Sequence, residues 1–427
     1  MNMSNIITAA KVNERKLKYG LLISLIMLNH FGCAPSDPTE SADPSDPSNI
    51  TDTTEPTDRT PPSESDNLYL DWFADYNQDQ GTEYLEQTGV VFEDGDVDRY
   101  PDAAEHTFIE NIAYGPFSRN VFDLYLPKNV AEPTPIVLYL HGGGFSSGDK
   151  DKVHGGKGDI AEYLRQGIAV ATANYRYGSG SIEAAMSAEH PNGICDGTDG
   201  GCRKDYVFRD GARVIQYLRY ASDIHNIDPN RIGLWGSSAG GQIALWVATV
   251  PDLAITDHPD PVLQQSTRVQ AVGHLTSQVS ALNSDWKELL EFSDDFWESL
   301  GLDSEGFDKL LHDVEAELRE SEEGQKLIQV LDYYRAITAD DPPMITAGVV
   351  RDYSEEDLLN PANADDAQGW FVHHPQHSTP IYEKCLSVQK DCAIATALMM
   401  EGDHVDSNLS PSESIQSFLT YWLTKAD

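Results

Sequence analysis

The chain has 427 residues, 40% of them hydrophobic, enough for one large or two ordinary domains with a buried core. Its 70 Asp and Glu against 29 Lys and Arg leave a formal charge of −41 and a pI near 4.4. Such a surface repels nucleic acid and anionic membranes, so the reading expects neither as a partner.

The first 33 residues read as an export signal. Lys11, Arg15, Lys16 and Lys18 precede a short apolar run, Gly20 to Leu28, well under the roughly 20 residues a spanning helix requires. Gly32-Cys33 follows, and a polar tract begins at once. This resembles the lipobox of bacterial lipoproteins, which implies that Cys33 is acylated and becomes the mature N-terminus. The chain is thus expected outside the cytoplasm, either secreted or held to a membrane through that N-terminal lipid alone. Residues 34–66 repeat Asp-Pro and Ser/Thr with almost no apolar side chain. Such a segment cannot bury enough surface to offset its chain entropy and reads as a disordered tether.

Residues 67–427 read as the folded domain. Leu68 to Gly89 mixes aromatic and acidic residues and suggests one or two surface helices. His106–Tyr114 and Val121–Leu126 alternate apolar and polar residues, an antiparallel pair opening a sheet. Pro135–Leu140 and Ile168–Arg176 are almost continuously apolar, as strands buried on both faces should be. A helix over Asp159–Gln166 lies between them. Asp210–Ala221 reads as an amphipathic helix, and Ile227-Asp228-Pro229 as a turn into the strand Arg231–Trp235. Val269–Val279, Pro343–Val350 and Ala393–Met400 are further strands, and Ser414–Leu423 the closing helix. Strands and helices in alternation predict an α/β fold, with a mostly parallel sheet covered on both faces. Residues 283–336 break the alternation: helical in pattern and dense in Glu and Asp, they read as a helical cap inserted over the strand ends, where ligands of open α/β sheets bind.

Gly236-Ser237-Ser238-Ala239-Gly240 is a G-x-S-x-G pentapeptide between a strand and a helix. A serine there is held in a strained turn with its hydroxyl exposed, and flanking glycines are needed because a Cβ would collide with neighbouring elements. Ser238 is the candidate nucleophile. His141-Gly142-Gly143-Gly144-Phe145 lies upstream at the end of another strand. Glycines there let backbone N–H groups approach a substrate oxygen closely.

This ordered pair of glycine motifs, with Phe122–Pro127, Asn174-Tyr175-Arg176 and Ile227–Ile232, resembles the α/β-hydrolase carboxylesterases, in particular the hormone-sensitive-lipase-like and type-B carboxylesterase-like bacterial esterases. The resemblance covers residues 120–248 and then only the last strands. It implies an oxyanion hole formed by the N–H groups of Gly143, Gly144 and Ala239, and a serine esterase that needs no metal or cofactor and takes a small-molecule ester, with short acyl esters or acylated plant carbohydrate as substrate classes. A serine hydroxyl needs a base. His404, between the last strand and the closing helix, keeps the family's Ser…acid…His order. His373, His374 and His377 precede a helix and are expected to shape the pocket or the surface instead. Asp352, after the strand 343–350, is the expected acid, with Asp366 as runner-up and Asp357 and Asp365 also available.

Cys195 and Cys202 have six residues between them, as do Cys385 and Cys392. In an exported chain two local disulfides, 195–202 and 385–392, are the natural pairing, and no C-x-x-C spacing suggests a metal. Two other readings stay open: a peptidase or amidase of the same fold, and an inactive binding module. Oligomeric state is not legible.

Overall fold

The computed structural model describes residues 68–70, 81–92, 106–128, 130–151, 157–178, 202–290, 292, 320–348, 371–388, 391–396, 399–402, 405–406 and 408–425. The chain divides into two compact units, 1–61 with 353–364 and 62–352 with 365–427. Every described residue belongs to the second unit.

Its described strands are β1 (Val90–Phe92), β2 (His106–Ala113), β3 (Val121–Pro127), β4 (Thr134–Leu140), β5 (Ala169–Ala173), β6 (Ile227–Ser237), β7 (Ala271–Leu275), β8 (Met344–Gly348), β9 (Cys392–Thr396) and β10 (Met400–Glu401). They form one sheet in the order β1-β2-β3-β5-β4-β6-β7-β8-β9-β10. From β5 through β9 all neighbours are parallel, and the pairs at the two edges are antiparallel. The apolar runs of the sequence explain this. Every residue of β4, β5 and β8 is buried, which only a sheet covered on both faces permits.

Among the described residues the longer helices are α1 (Lys157–Arg165), α2 (Lys204–Tyr220), α3 (Ala239–Thr249), α4 (Glu322–Leu331), α5 (Ser378–Ser387) and α6 (Pro411–Thr424). Ile160, Tyr163 and Leu164 of α1 and Ile415, Phe418, Leu419 and Leu423 of α6 share a core with Val137, Tyr139, Trp235 and Ile345 on one face. On the other face α2 and α3 touch so closely that a Cβ on Gly211 would lie 2.2 Å from Ile243. α6 starts on a capping box, Ser410 with Glu413, and Pro411 follows in its first turn.

Helix α2 begins at Lys204, six residues before the expected start, because its first turns are charged yet buried. Arg176 and Asp210 form a fully buried two-pronged ion pair, Nε–Oδ2 2.9 Å and Nη2–Oδ1 2.8 Å. Arg213 pairs with Asp260, which also accepts from the Tyr84 hydroxyl at 2.9 Å. Tyr84 belongs to a single 3-10 turn, Glu83–Glu86, and is buried, where a surface helix was expected. Residues 227–229 are no turn but the start of β6, Ile227 pairing with Thr134.

The last predicted strand, 393–400, is instead a tight hairpin. The chain reverses after Thr396, whose N–H donates to the Met399 carbonyl at 2.8 Å, and β10 returns antiparallel along β9. An apolar run of this length fits a long strand or a short hairpin equally, and backbone pairing decides. Of residues 283–336, the described part is helical: turns at Asn283–Asp285, Trp286–Leu289 and Tyr333–Ala336, with α4 between. It is tied to helix α3 by Trp246 Nε1–H donating to the Val330 carbonyl at 2.6 Å.

Cys385 and Cys392 are disulfide-bonded, joining the end of α5 to the start of β9 as the spacing predicts. Cys202 is also in a disulfide; its expected partner Cys195, like Cys33, lies outside the described residues.

Candidate active site

The site forms where β6 ends. Ser238 is the N-cap of α3 with φ 50° and ψ −120°, a conformation that costs a non-glycine residue about 1–3 kcal/mol and persists only when its surroundings enforce it. They do so here. The Ser238 N–H donates to the Leu275 carbonyl at 2.9 Å, and its carbonyl accepts from Gln242 N–H at 3.1 Å and Ser277 Oγ at 3.0 Å. The glycines are obligatory: a Cβ on Gly236 would lie 2.3 Å from the carbonyl carbon of Gly240, and one on Gly240 only 2.1 Å from the carbonyl oxygen of Leu140. The pentapeptide therefore builds the strained elbow that its sequence predicts.

The glycine run from the end of β4 lies against this elbow. A Cβ on Gly142 would sit 2.9 Å from the Ser237 carbonyl oxygen and 3.2 Å from Ser238 Cβ. Gly143 turns at φ 135° and Gly144 at φ 60°. The Gly143 carbonyl accepts from Ser147 N–H at 3.0 Å and Ser147 Oγ at 2.9 Å, closing the loop. Among the described residues the N–H groups of Gly143, Gly144 and Ala239 make no hydrogen bond, the state expected of donors kept for an oxygen that arrives with substrate.

The histidine beside Ser238 is His373: its Nε2 lies 2.9 Å from Ser238 Oγ. Assigning His373 to the pocket wall or surface is therefore corrected. His404, the expected base, lies outside the described residues. Gly402, two residues earlier, packs against Cys392 and Ala393 at the start of β9, the end of the sheet away from Ser238. No local pattern marks His373; only the fold brings it from the segment before α5 to the end of β6. Asp352 and the alternatives Asp357, Asp365 and Asp366 lie outside the described residues.

Neighbouring groups fix the segment that carries His373. Gln278 donates from Nε2 to the Val372 carbonyl at 2.8 Å, while its own carbonyl accepts from the Tyr333 hydroxyl at 2.7 Å. His377 accepts the Val279 N–H on Nδ1 at 3.1 Å, so its Nε2 carries the proton and donates to the Phe371 carbonyl at 3.2 Å. His374 accepts from Gln376 N–H at 3.0 Å and caps the turn that starts α5. Burial lowers the pKa of both His374 and His377 to about 3, so neither adds positive charge beside Ser238 at neutral pH. The described residues contain no group of His, Cys, Asp and Glu able to hold a metal ion.

A mostly parallel sheet clothed by helices, with a strained serine elbow after its middle strand and a glycine turn beside it, defines an α/β-hydrolase. Within that class the sequence comparisons fall among esterases. Residues 122–194 and 206–287 match the BD-FAE family model, a span that holds the glycine run and the elbow. Gut esterase 1 of Caenorhabditis elegans is 32% identical over 116 residues, 27% of this chain and 18% of that protein. A probable isoprenylcysteine alpha-carbonyl methylesterase of Arabidopsis thaliana is 28% identical over 176 residues, 40% of this chain and 31% of that one. The chain thus spans less than a third of the length of either curated relative. Among solved structures, a truncated carbohydrate esterase from gut microbiota superimposes with a TM-score of 0.47 at 17% identity, covering 74% of this chain and 96% of that one.

Proposed function

We propose that the protein hydrolyses carboxylic esters through an acyl-enzyme on Ser238. The observation that carries this reading is the strained Ser238 with a histidine nitrogen 2.9 Å from its hydroxyl and unengaged glycine N–H groups alongside. Ser238 Oγ attacks the ester carbonyl as its proton passes to the imidazole. The carbonyl oxygen takes up negative charge, which the N–H groups of Gly143, Gly144 and Ala239 stabilise. Collapse expels the alcohol, which receives the proton back, and water then repeats the sequence to release the acid.

The contact with Ser238 supports His373 as the base, and the course of the chain at Gly402 supports it further. The order of residues along the sequence favours His404, which therefore remains the competing assignment. A carboxylate should accept the base's other N–H; Asp352 is proposed, with Asp366 as alternative, and Asp352→Asn should lower kcat by orders of magnitude with little change in KM. Short acyl esters are proposed as substrates on the sequence resemblance. Export through the N-terminal segment, with acylation at Cys33, is proposed on its residue pattern; Cys33→Ser should then release the protein from the membrane fraction of a Gram-negative host.

The test of the central reading is covalent labelling with a fluorophosphonate together with hydrolysis of p-nitrophenyl esters from acetate to decanoate. Wild type should label and Ser238→Ala should neither label nor turn over. A Ser238→Ala protein within tenfold of wild-type activity would remove the nucleophile assignment, and a protein that neither labels nor hydrolyses any ester would favour a binding module.

A further inference from the structure

One arginine outside every recognisable motif reaches the back of the glycine turn. Arg119 sits between β2 and β3, and its side chain is only 13% exposed. Its Nε donates to the Tyr175 carbonyl at 2.9 Å, beyond the end of β5. Its Nη2 donates to the Gly148 carbonyl at 3.2 Å and faces His141 Nε2 at 3.5 Å. The guanidinium carbon lies over the Tyr177 ring, 3.6 Å from its centre, and the Tyr177 hydroxyl donates to the same Gly148 carbonyl. Asp149 stands 3.8 Å from Nη1.

These contacts converge on two residues that touch the oxyanion turn. Gly148, at φ 105°, is pressed onto the turn so tightly that a Cβ there would lie 2.3 Å from the Gly142 carbonyl oxygen and 2.5 Å from His141 Nδ1. His141 is fully buried and stacked on Tyr175 at 4.3 Å, and the Tyr175 hydroxyl donates to the His141 carbonyl at 2.6 Å. A guanidinium has donors only, so the His141 nitrogen facing it is an acceptor and the proton sits on Nδ1. Nδ1 lies 2.8 Å from the Gly142 carbonyl oxygen and donates to it. That carbonyl and the Gly143 N–H belong to one planar trans peptide and point in opposite directions. Holding the carbonyl toward His141 therefore aims the Gly143 N–H away from it.

We propose that Arg119 is a positioning residue for the oxyanion turn: by clamping Gly148 and fixing the His141 tautomer, it sets the orientation of the 142–143 peptide whose N–H stabilises the transition state. It rests on the serine-esterase reading and extends it to a residue that touches no substrate. A lysine in its place could reach one of these acceptors but could not span Tyr175, Gly148 and His141 together.

The test is steady-state hydrolysis of p-nitrophenyl acetate by Arg119→Met and Arg119→Lys, beside wild type and Ser238→Ala. Misaiming one oxyanion donor should lower kcat by about 10- to 100-fold for Arg119→Met while KM stays within about twofold. The rate of fluorophosphonate labelling should fall in parallel, because phosphonylation uses the same donors, and Arg119→Lys should fall between. A folded Arg119→Met with kcat within twofold of wild type, while Ser238→Ala is inactive, would overturn the proposal and leave the esterase reading intact. An unchanged Ser238→Ala would instead overturn that reading. Should Arg119→Met fail to fold, Arg119→Lys decides: a reduced kcat at unchanged KM supports the clamp, and full kcat refutes it.

Discussion

The two halves of the site are built in different ways. The proposed nucleophile and the glycine turn are backbone constructions: Ser238 and Gly142–Gly144 lie at the ends of β6 and β4, which pair with each other. Steric exclusion requires glycine at 142, 143, 236 and 240, and Gly144 is required by its φ of 60°. The proposed base is a side-chain construction. His373 arrives from a segment between β8 and β9, and side-chain and backbone bonds from Gln278, His377 and Val279 hold it. Geometry dictated by neighbouring strands is insensitive to the rest of the chain, whereas geometry held by a few hydrogen bonds depends on residues far away in sequence.

Substituting the base should give the largest effect and the sharpest test of this contrast. His373→Ala should lower kcat on p-nitrophenyl acetate by about 10³-fold or more and add little to the loss in Ser238→Ala, since the pair acts as a unit. His404→Ala should stay within tenfold of wild type. The opposite pattern would assign the base to His404.

On the backbone half, Gly240→Ala should disrupt the elbow itself. Its Cβ meets backbone oxygens of Leu140 and His141 at 2.1 and 2.5 Å, atoms with no side-chain freedom to retreat. A destabilisation of about 3 kcal/mol is expected from such overpacking, read by urea unfolding, with activity lost in parallel. A variant of unchanged stability and activity would show the elbow to be far softer than these contacts imply.

The disulfide acts at the end of α5, on the segment that presents His373. Cys385→Ser with Cys392→Ser opens a loop of sequence separation 7, for which chain entropy predicts a loss of about 2.5 kcal/mol. Its effect on kcat should be small, because the 371–377 turn is pinned separately through His377.

The smallest expected effect is a dependence on pH. His274, His374 and His377 are buried, and burial lowers each pKa to about 3. Unfolded, each takes up its proton near 6.5, so between pH 6.5 and 3 the unfolded state binds more protons than the folded one. Stability is therefore fully present above pH 6.5 and falls as the pH drops through that window. His274 is fully buried on β7, and its ring nitrogens make no hydrogen bond among the described residues. His274→Leu should reduce the acid slope by about 1 kcal/mol per pH unit, measured by urea unfolding at pH 5 and pH 7; an unchanged slope would show that His274 does not contribute.

Much of this was legible in the sequence because it is local. Continuous apolar runs at 135–140 and 168–173 mark strands buried on both faces, and the G-x-S-x-G and Gly142–Gly144 runs are recognisable as patterns. A Cβ on Gly240 or Gly142 would nonetheless collide with residues about a hundred positions away, and Gly144 is called for by its φ of 60° alone. The Cys385–Cys392 bridge followed from short spacing together with the expectation of an exported chain. Other features depended on contacts between distant segments. The length of α2 is set by buried partners such as Asp210 for Arg176, so its charged first turns do not show helical amphipathicity. The hairpin at 396–400 is chosen by pairing, since an apolar run encodes burial but not direction. Which histidine meets Ser238 was decided by where the chain re-enters the sheet after β8. An imidazole carries no local signature of the partner it will find, and only the closed structure brings residue 373 within 2.9 Å of residue 238.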